Sequence, residues 1–204
     1  MSESEPDVID LLVGVNPGSR VDAIRAQRPE ARENAQKSYL ALFAPQFPGE
    51  MSGEERHALA VFVAGLHRDA ATLAFYRDGL AKQNGRPGLA AAIDAEIAQG
   101  DANGPYGRYP EGPLSSEDRA GLIHRVSDAN QSYLGPRLSA ALAHAHLLVF
   151  RPRDASLSAL QALLDAGWST TGIVTLSQLV AFLSFQIRVI IGLRALAAAP
   201  GGGV

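Results

Sequence analysis

Asp69, Thr72 and Tyr76 stand three and four residues apart in the segment ERHALAVFVAGLHRDAATLAFYRDGLA, residues 55–81. At about 100° per residue an α-helix brings such positions within about 60° of one another, so a carboxylate, a hydroxyl and a phenol share one face. That face borders Leu59, Leu66, Leu73 and Leu80, whose spacing of seven predicts a stripe packed antiparallel on a partner helix. A polar trio pointing toward a packed cleft suits acid–base chemistry or the orienting of a ligand. The same residues also have an architectural reading, in which Asp69 N-caps a helix after His67-Arg68 and Tyr76 is core with its hydroxyl at the edge. His57 would lie about 120° from Asp69 on one continuous helix and joins the trio only if the chain breaks near Gly65.

Other chemistry-bearing residues exclude more than they offer. The sequence has no cysteine, which removes disulfides, thiolate metal sites and thiol nucleophiles together. By spacing, the five histidines make no metal site. His144 and His146 are two apart on an expected helix and diverge, His57 and His67 are ten apart and miss a common face, and His124 stands alone. A phosphate-binding glycine loop, a serine nucleophile elbow and a dinucleotide fingerprint are all missing from the sequence, so no cofactor is expected. Arg188 sits between Ile187 and Val189 in an apolar stretch, where an unpaired guanidinium is costly. A carboxylate partner is therefore expected, the alternative being an arginine that neutralises a bound anion.

The elements that must position these residues are helical throughout. Apolar residues recur at three and four positions, without sustained alternation, which predicts an all-α class. With 204 residues, 47% of them apolar, and a formal net charge of −3, the composition fits one sizeable core and argues against an electrostatic nucleic-acid binder. The acidic start MSESEPDVID lacks the order of a signal peptide, and the apolar stretch at 172–187 is interrupted by polar residues, so a cytoplasmic protein with a buried helix is expected in place of a membrane span. Residues 1–50 read as an N-terminal helical arm, lying over the core or over a neighbouring subunit. The main domain runs over 51–199, and a flexible tail over 200–204. GDANGPYGRYPEGPLS, beginning at Gly100, is either a surface excursion or a lid. Ser115 and Asp118 have capping-box-like spacing and predict a helix through Ile123 and Val126. Pro136 begins the next helix, Ser156 caps another that ends at Gly167, and the last starts near Thr171.

Two separated blocks carry a family resemblance. The first, residues 55–81, resembles the active-site region of the carboxymuconolactone decarboxylase and alkylhydroperoxidase D superfamily, where Glu-Arg opens a helix and a Cys-x-x-Cys with a following His comes later. The second, within 137–196, is similar to that superfamily's later half, with a proline before a helix, an Ala-Gly-aromatic-Ser turn and a closing helix with an Arg-Val pair, here Arg188 and Val189. Matching Glu55-Arg56 to the Glu-Arg opening puts His57 at the family's proton-relay Glu, Asp69 and Thr72 at the two cysteines, and Tyr76 at the His. The resemblance implies an alkylhydroperoxidase D-like helical fold that assembles as a homo-oligomer, whether dimer, trimer or hexamer, in a cysteine-free subfamily for which thiol peroxidase activity is not expected. It leaves two classes of function open. One is a cofactor-free acid–base enzyme on a small carboxylated or carbonyl substrate, with His57, Asp69 and Tyr76 handling protons, Thr72 orienting, and Arg188 binding substrate or bracing its helix. The other is a non-catalytic subunit partnering a cysteine-containing relative. Neither nucleic acid nor membrane is an expected partner.

Overall fold

In the computed structural model, which describes residues 6–83 and 86–199, nine α-helices carry the chain. They are α1 (Val8–Val13), α2 (Arg20–Ala26), α3 (Pro29–Phe43), α4 (Gly53–Leu66), α5 (Ala70–Ala81), α6 (Leu89–Gln99), α7 (Asp128–Phe150), α8 (Leu157–Asp165) and α9 (Thr170–Ala198). Among the described residues the only extended pairing is one isolated bridge between Gly107 and Arg119, so the fold is all-α. The expected 200–204 tail lies outside the described residues.

The centre of the molecule is α4. Ser52 and Glu55 form a reciprocal capping box at its start, and every residue from Arg56 to Leu66 is buried. A helix apolar on all sides must be surrounded, and α5, α6, α7 and α9 enclose it. Segment 55–81 is thus two helices and not one. The chain turns at Arg68, a left-handed residue with φ 58°, held by its side chain to Asp101 and Asn103, and Asp69 then caps α5. This break divides the heptad leucines between α4 and α5, which pack on each other, so the single stripe on a partner helix is not formed.

Two further expectations change. Pro136 follows Gly135, whose φ of 79° interrupts α7, so the helix expected from Pro136 is the second limb of a kinked one. Residues 118–127 do not form a helix, and Ile123 is 63% exposed. Ser115 and Asp118 bind loop partners instead: the Ser115 hydroxyl accepts from the Gly112 amide, and the Asp118 carboxylate accepts from the Tyr109 amide. These local bonds compete with the helix start that the spacing imitated.

The arm lies over the core of its own chain. Val8 and Ile9 of α1, Ala35 of α3 and Ile190 of α9 form a small second cluster. At its other end the arm is clamped by Arg56, whose buried guanidinium donates to the carbonyls of Leu42, Pro48 and Met51 at 2.7, 2.8 and 3.1 Å. That clamp fixes Phe43 beside the first turn of α4.

The longest helix is α9, and by length and composition it could cross a bilayer. Leu176, Leu179, Leu183 and Ile187 on one of its faces are fully buried in the core.

Candidate functional site

His57, one turn into α4, faces α5 and the end of α3. Its Nδ1 lies 2.8 Å from the Gly53 carbonyl, which can only accept, so Nδ1 carries the proton and Nε2 keeps its lone pair. Burial, and next the charges of Arg56 and Lys82, pull its pKa below the ordinary value, against the opposing pull of the Gly53 bond. The imidazole is therefore neutral at pH 7, with a free lone pair on Nε2, and is a weaker base than an exposed histidine. Its Cδ2–Nε2 edge packs closely on Gly79 of α5, where a Cβ would fall 2.4 Å from Cδ2 and 2.8 Å from Nε2, so only glycine lets α5 approach the ring this closely. His57, Gly79 and Tyr76 line one cavity of about 440 Å³ between the arm and the α4–α5 hairpin.

Tyr76 meets His57 across Phe43, whose ring centroid is 5.2 Å from the imidazole and 5.0 Å from the phenol ring. The Tyr76 hydroxyl points elsewhere, donating to Gln186 Oε1 of α9 at 2.5 Å. Burial pushes its pKa well above the ordinary value. The ring belongs to the cavity wall, while the hydroxyl is a structural tie and a poor acid.

Asp69 and Thr72 form one unit apart from the cavity. The Asp69 carboxylate accepts from the Thr72 amide at 3.0 Å and from the Thr72 hydroxyl, and pairs with Arg194 of α9 at 2.7 Å. Arg194 also donates to the Leu12 carbonyl at the end of α1, 3.1 Å from its Nε. This unit joins the start of α5, the last turns of α9 and the arm. It satisfies a helix start and a buried charge at once. The sequence-expected constellation is therefore split: His57 and the Tyr76 ring share the cavity, and Asp69 and Thr72 do not line it.

Arg188 corrects a further expectation. It is exposed, and no carboxylate lies within ion-pair distance of it among the described residues. The reason is that α9 is buried along one side only, and Arg188 projects from the other. It borders an open groove with Ser184 and Phe185, beside the partly buried His67, whose pKa is lowered to about 4 by burial and then by the Arg188 charge. The 100–116 loop is bonded away from the His57 cavity, through the Tyr106 amide to the Phe150 carbonyl at 2.7 Å and the Arg108 amide to Asp154 at 3.1 Å. Its residues do not line that cavity, so it is no lid there.

A second polar cluster was not foreseen. Glu96 of α6 is fully buried, and its Oε1 accepts from the Ser127 hydroxyl at 2.9 Å and from Asn130 at 2.8 Å. Its Oε2 lies 3.3 Å from His124 Nε2, and the His124 ring sits 5.1 Å from His146. His124 thus has neighbours that sequence spacing could not show. Among the described residues no group of three His, Asp or Glu side chains is placed to hold a metal ion.

With this geometry in hand, comparison with known proteins adds no assignment. No family model matches the chain, and no curated protein matches it. The residues that sequence reasoning passed over are Phe43, Gly79, Lys82 and Arg194. For Gly79 a signal was present: an isolated glycine inside a helical pattern marks a close approach, here that of His57. For Arg194 there was none, since a helix face is not known until its neighbours are.

Proposed function

We propose that this chain is a cofactor-free acid–base enzyme of the carboxymuconolactone decarboxylase-like kind, acting on a small carboxylated or carbonyl substrate in the cavity beside His57. One observation carries the reading: a neutral imidazole, its tautomer set by the Gly53 carbonyl so that Nε2 keeps its lone pair, lines a ligand-sized cavity. In the proposed step Nε2 takes a proton from the carbon next to a carbonyl. The C–H bond breaks, the N–H bond forms, and the electron pair moves to the carbonyl oxygen as an enolate. Lys82 at the same cavity offsets the developing negative charge. Thiol peroxidase chemistry has no nucleophile here, since the sequence contains no cysteine.

The test is deuterium uptake from D2O, followed by NMR, with a panel of small keto acids and carboxylated lactones. Uptake at the carbon next to the carbonyl is expected for at least one member, and His57→Gln should reduce it at least about a hundredfold. Uptake that proceeds equally in the variant, or in no member of the panel, sinks the reading.

A second reading, an oligomeric subunit without catalysis that partners its own copies or a cysteine-containing relative, is favoured by the outer face of α8 and α9. Leu157 is 85% exposed there, with Val174 and Phe185, eleven residues apart and so on one side of α9, also open. Large apolar side chains gathered on one side are seldom left to water. Both readings are compatible with a cytoplasmic homo-oligomer, and a monomer in light scattering at micromolar concentration would count against the second.

A further inference from the structure

We propose that the ligand of the His57 cavity is a planar conjugated carboxylate, stacked on a wall of aromatic rings with its charge toward Lys82. This rests on the acid–base reading of the same cavity and narrows its substrate class.

The wall is a closed circuit of four rings. Phe43 lies 5.0 Å from Tyr76, Tyr76 5.2 Å from Phe75, Phe75 6.3 Å from Tyr39, and Tyr39 5.2 Å from Phe43. All four line the cavity, and His57 joins the circuit through Phe43 at 5.2 Å. These separations are those of offset and edge-on aromatic contacts. A saturated ligand gains only burial from such a wall, whereas a flat conjugated one also gains stacking on its π-faces. Half the circuit, Tyr39 and Phe43, comes from α3, so the arm supplies ligand selectivity as well as cover. Arg56 places it there by holding the Leu42 carbonyl at 2.7 Å.

Charge at the wall decides the sign of the ligand. Asp78 and Lys82, both exposed at the end of α5, are its two charged members. The Lys82 ammonium is near enough to His57 to disfavour its protonation, and Arg56 acts in the same direction, while no carboxylate is among the groups acting on that ring. Lys82 is thus the cavity wall's cation on the side of the imidazole. An anionic ligand is favoured there, and the enolate formed by proton transfer to His57 is stabilised by the same charges.

Binding to the whole protein is measured by ligand-observed NMR and calorimetry with benzoate, cyclohexanecarboxylate, benzamide and tetramethylammonium. Benzoate should bind at least about fivefold more tightly than cyclohexanecarboxylate, which carries the same charge without the ring. It should also bind about tenfold more tightly than benzamide, which keeps the ring without the charge. Benzoate protons should show upfield ring-current shifts in the wild-type protein, a readout that requires no variant. Lys82→Met, at an exposed position, should remove the preference for benzoate over benzamide. Equal binding of the two carboxylates, absent ring-current shifts, or tetramethylammonium binding in preference to benzoate would overturn this substrate class. The acid–base reading fails separately, by deuterium uptake that ignores His57→Gln while benzoate still binds.

Discussion

His57 and His146 are near-equivalents that differ in one respect. Each is a buried neutral imidazole with one nitrogen against a backbone carbonyl, Nδ1 on Gly53 at 2.8 Å and Nε2 on Gly100 at 3.0 Å. Burial is the first cause of a lowered pKa in both, and for His146 it brings the value to about 4. The second nitrogen of His57 stands at a cavity wall, whereas that of His146 is sealed among Phe150, His124 and α6 without a hydrogen bond. A perturbed titration is thus shared by a candidate site and by plain core, and access separates them. The cavity beside His57 does more to define the site than any shift in proton affinity.

Acidification gives the largest expected effect and sharpens that contrast. His57, His67, His124, His144 and His146 all have folded pKa values below the ordinary one. Between about 6.5 and 4 the unfolded chain therefore binds more protons than the folded one, and stability is lost as pH falls through that window. His146, fully buried, contributes on the order of 3 kcal/mol, and the partly exposed His67 less. Urea midpoints measured from pH 7.5 to 4 should fall steadily. In the same range the imidazole NMR signal of His57 should titrate reversibly in the folded protein, because the residue lines a cavity, while that of His146 changes only with unfolding. Reversible titration of His146 below the unfolding threshold would erase the distinction between the two.

The fold class was legible because its signals are local. Ser19, Ser52, Asp69 and Ser156 cap the helices that follow them, and Gly167 ends α8 with φ 90°. The failures share a cause as well. Ser115–Asp118 has a cap's spacing, but distant Tyr109 claims the carboxylate. Of the candidate residues, Tyr76 comes from helical spacing and His57 from the family resemblance; the chain does break, at Arg68, but Asp69 and Thr72 turn to Arg194 and away from the cavity that His57 and the Tyr76 ring line. The aromatic wall was not legible, since Tyr39 and Phe43 reach it from another helix through backbone carbonyls held by Arg56, and no residue pattern records a carbonyl's partner. His124 and Glu96 likewise meet only because an extended segment crosses α6.

Two arginines six residues apart on α9 provide the remaining predictions, one of intermediate and one of small effect. Six residues turn a helix by about 240°, so Arg194 and Arg188 leave it on different faces. Arg194 binds Asp69 at 2.7 Å and the Leu12 carbonyl at 3.1 Å. Arg194→Met strands a largely buried carboxylate and removes one polar tie between the arm and α9, and should lower stability by about 2–4 kcal/mol in denaturant melts. Because the arm carries Tyr39 and Phe43, the same variant should loosen ligand binding at the cavity, although Arg194 does not line it.

Arg188→Met is the smallest expected change. An arginine enclosed by Ile187 and Val189 in sequence invites the expectation of a buried ion pair, but in space Ile187 is fully buried while Arg188 is exposed. Replacing an exposed guanidinium that has no carboxylate within reach should alter stability by less than about 0.5 kcal/mol, and the denaturation midpoint should stay within error of the wild type. One secondary effect has a defined sign. The Arg188 charge helps hold the pKa of His67 down, so its removal should raise that pKa from about 4 toward the ordinary value, leaving burial as the opposing cause. A midpoint loss as large as that of Arg194→Met would place Arg188 in a buried contact and overturn the assignment of the two faces of α9.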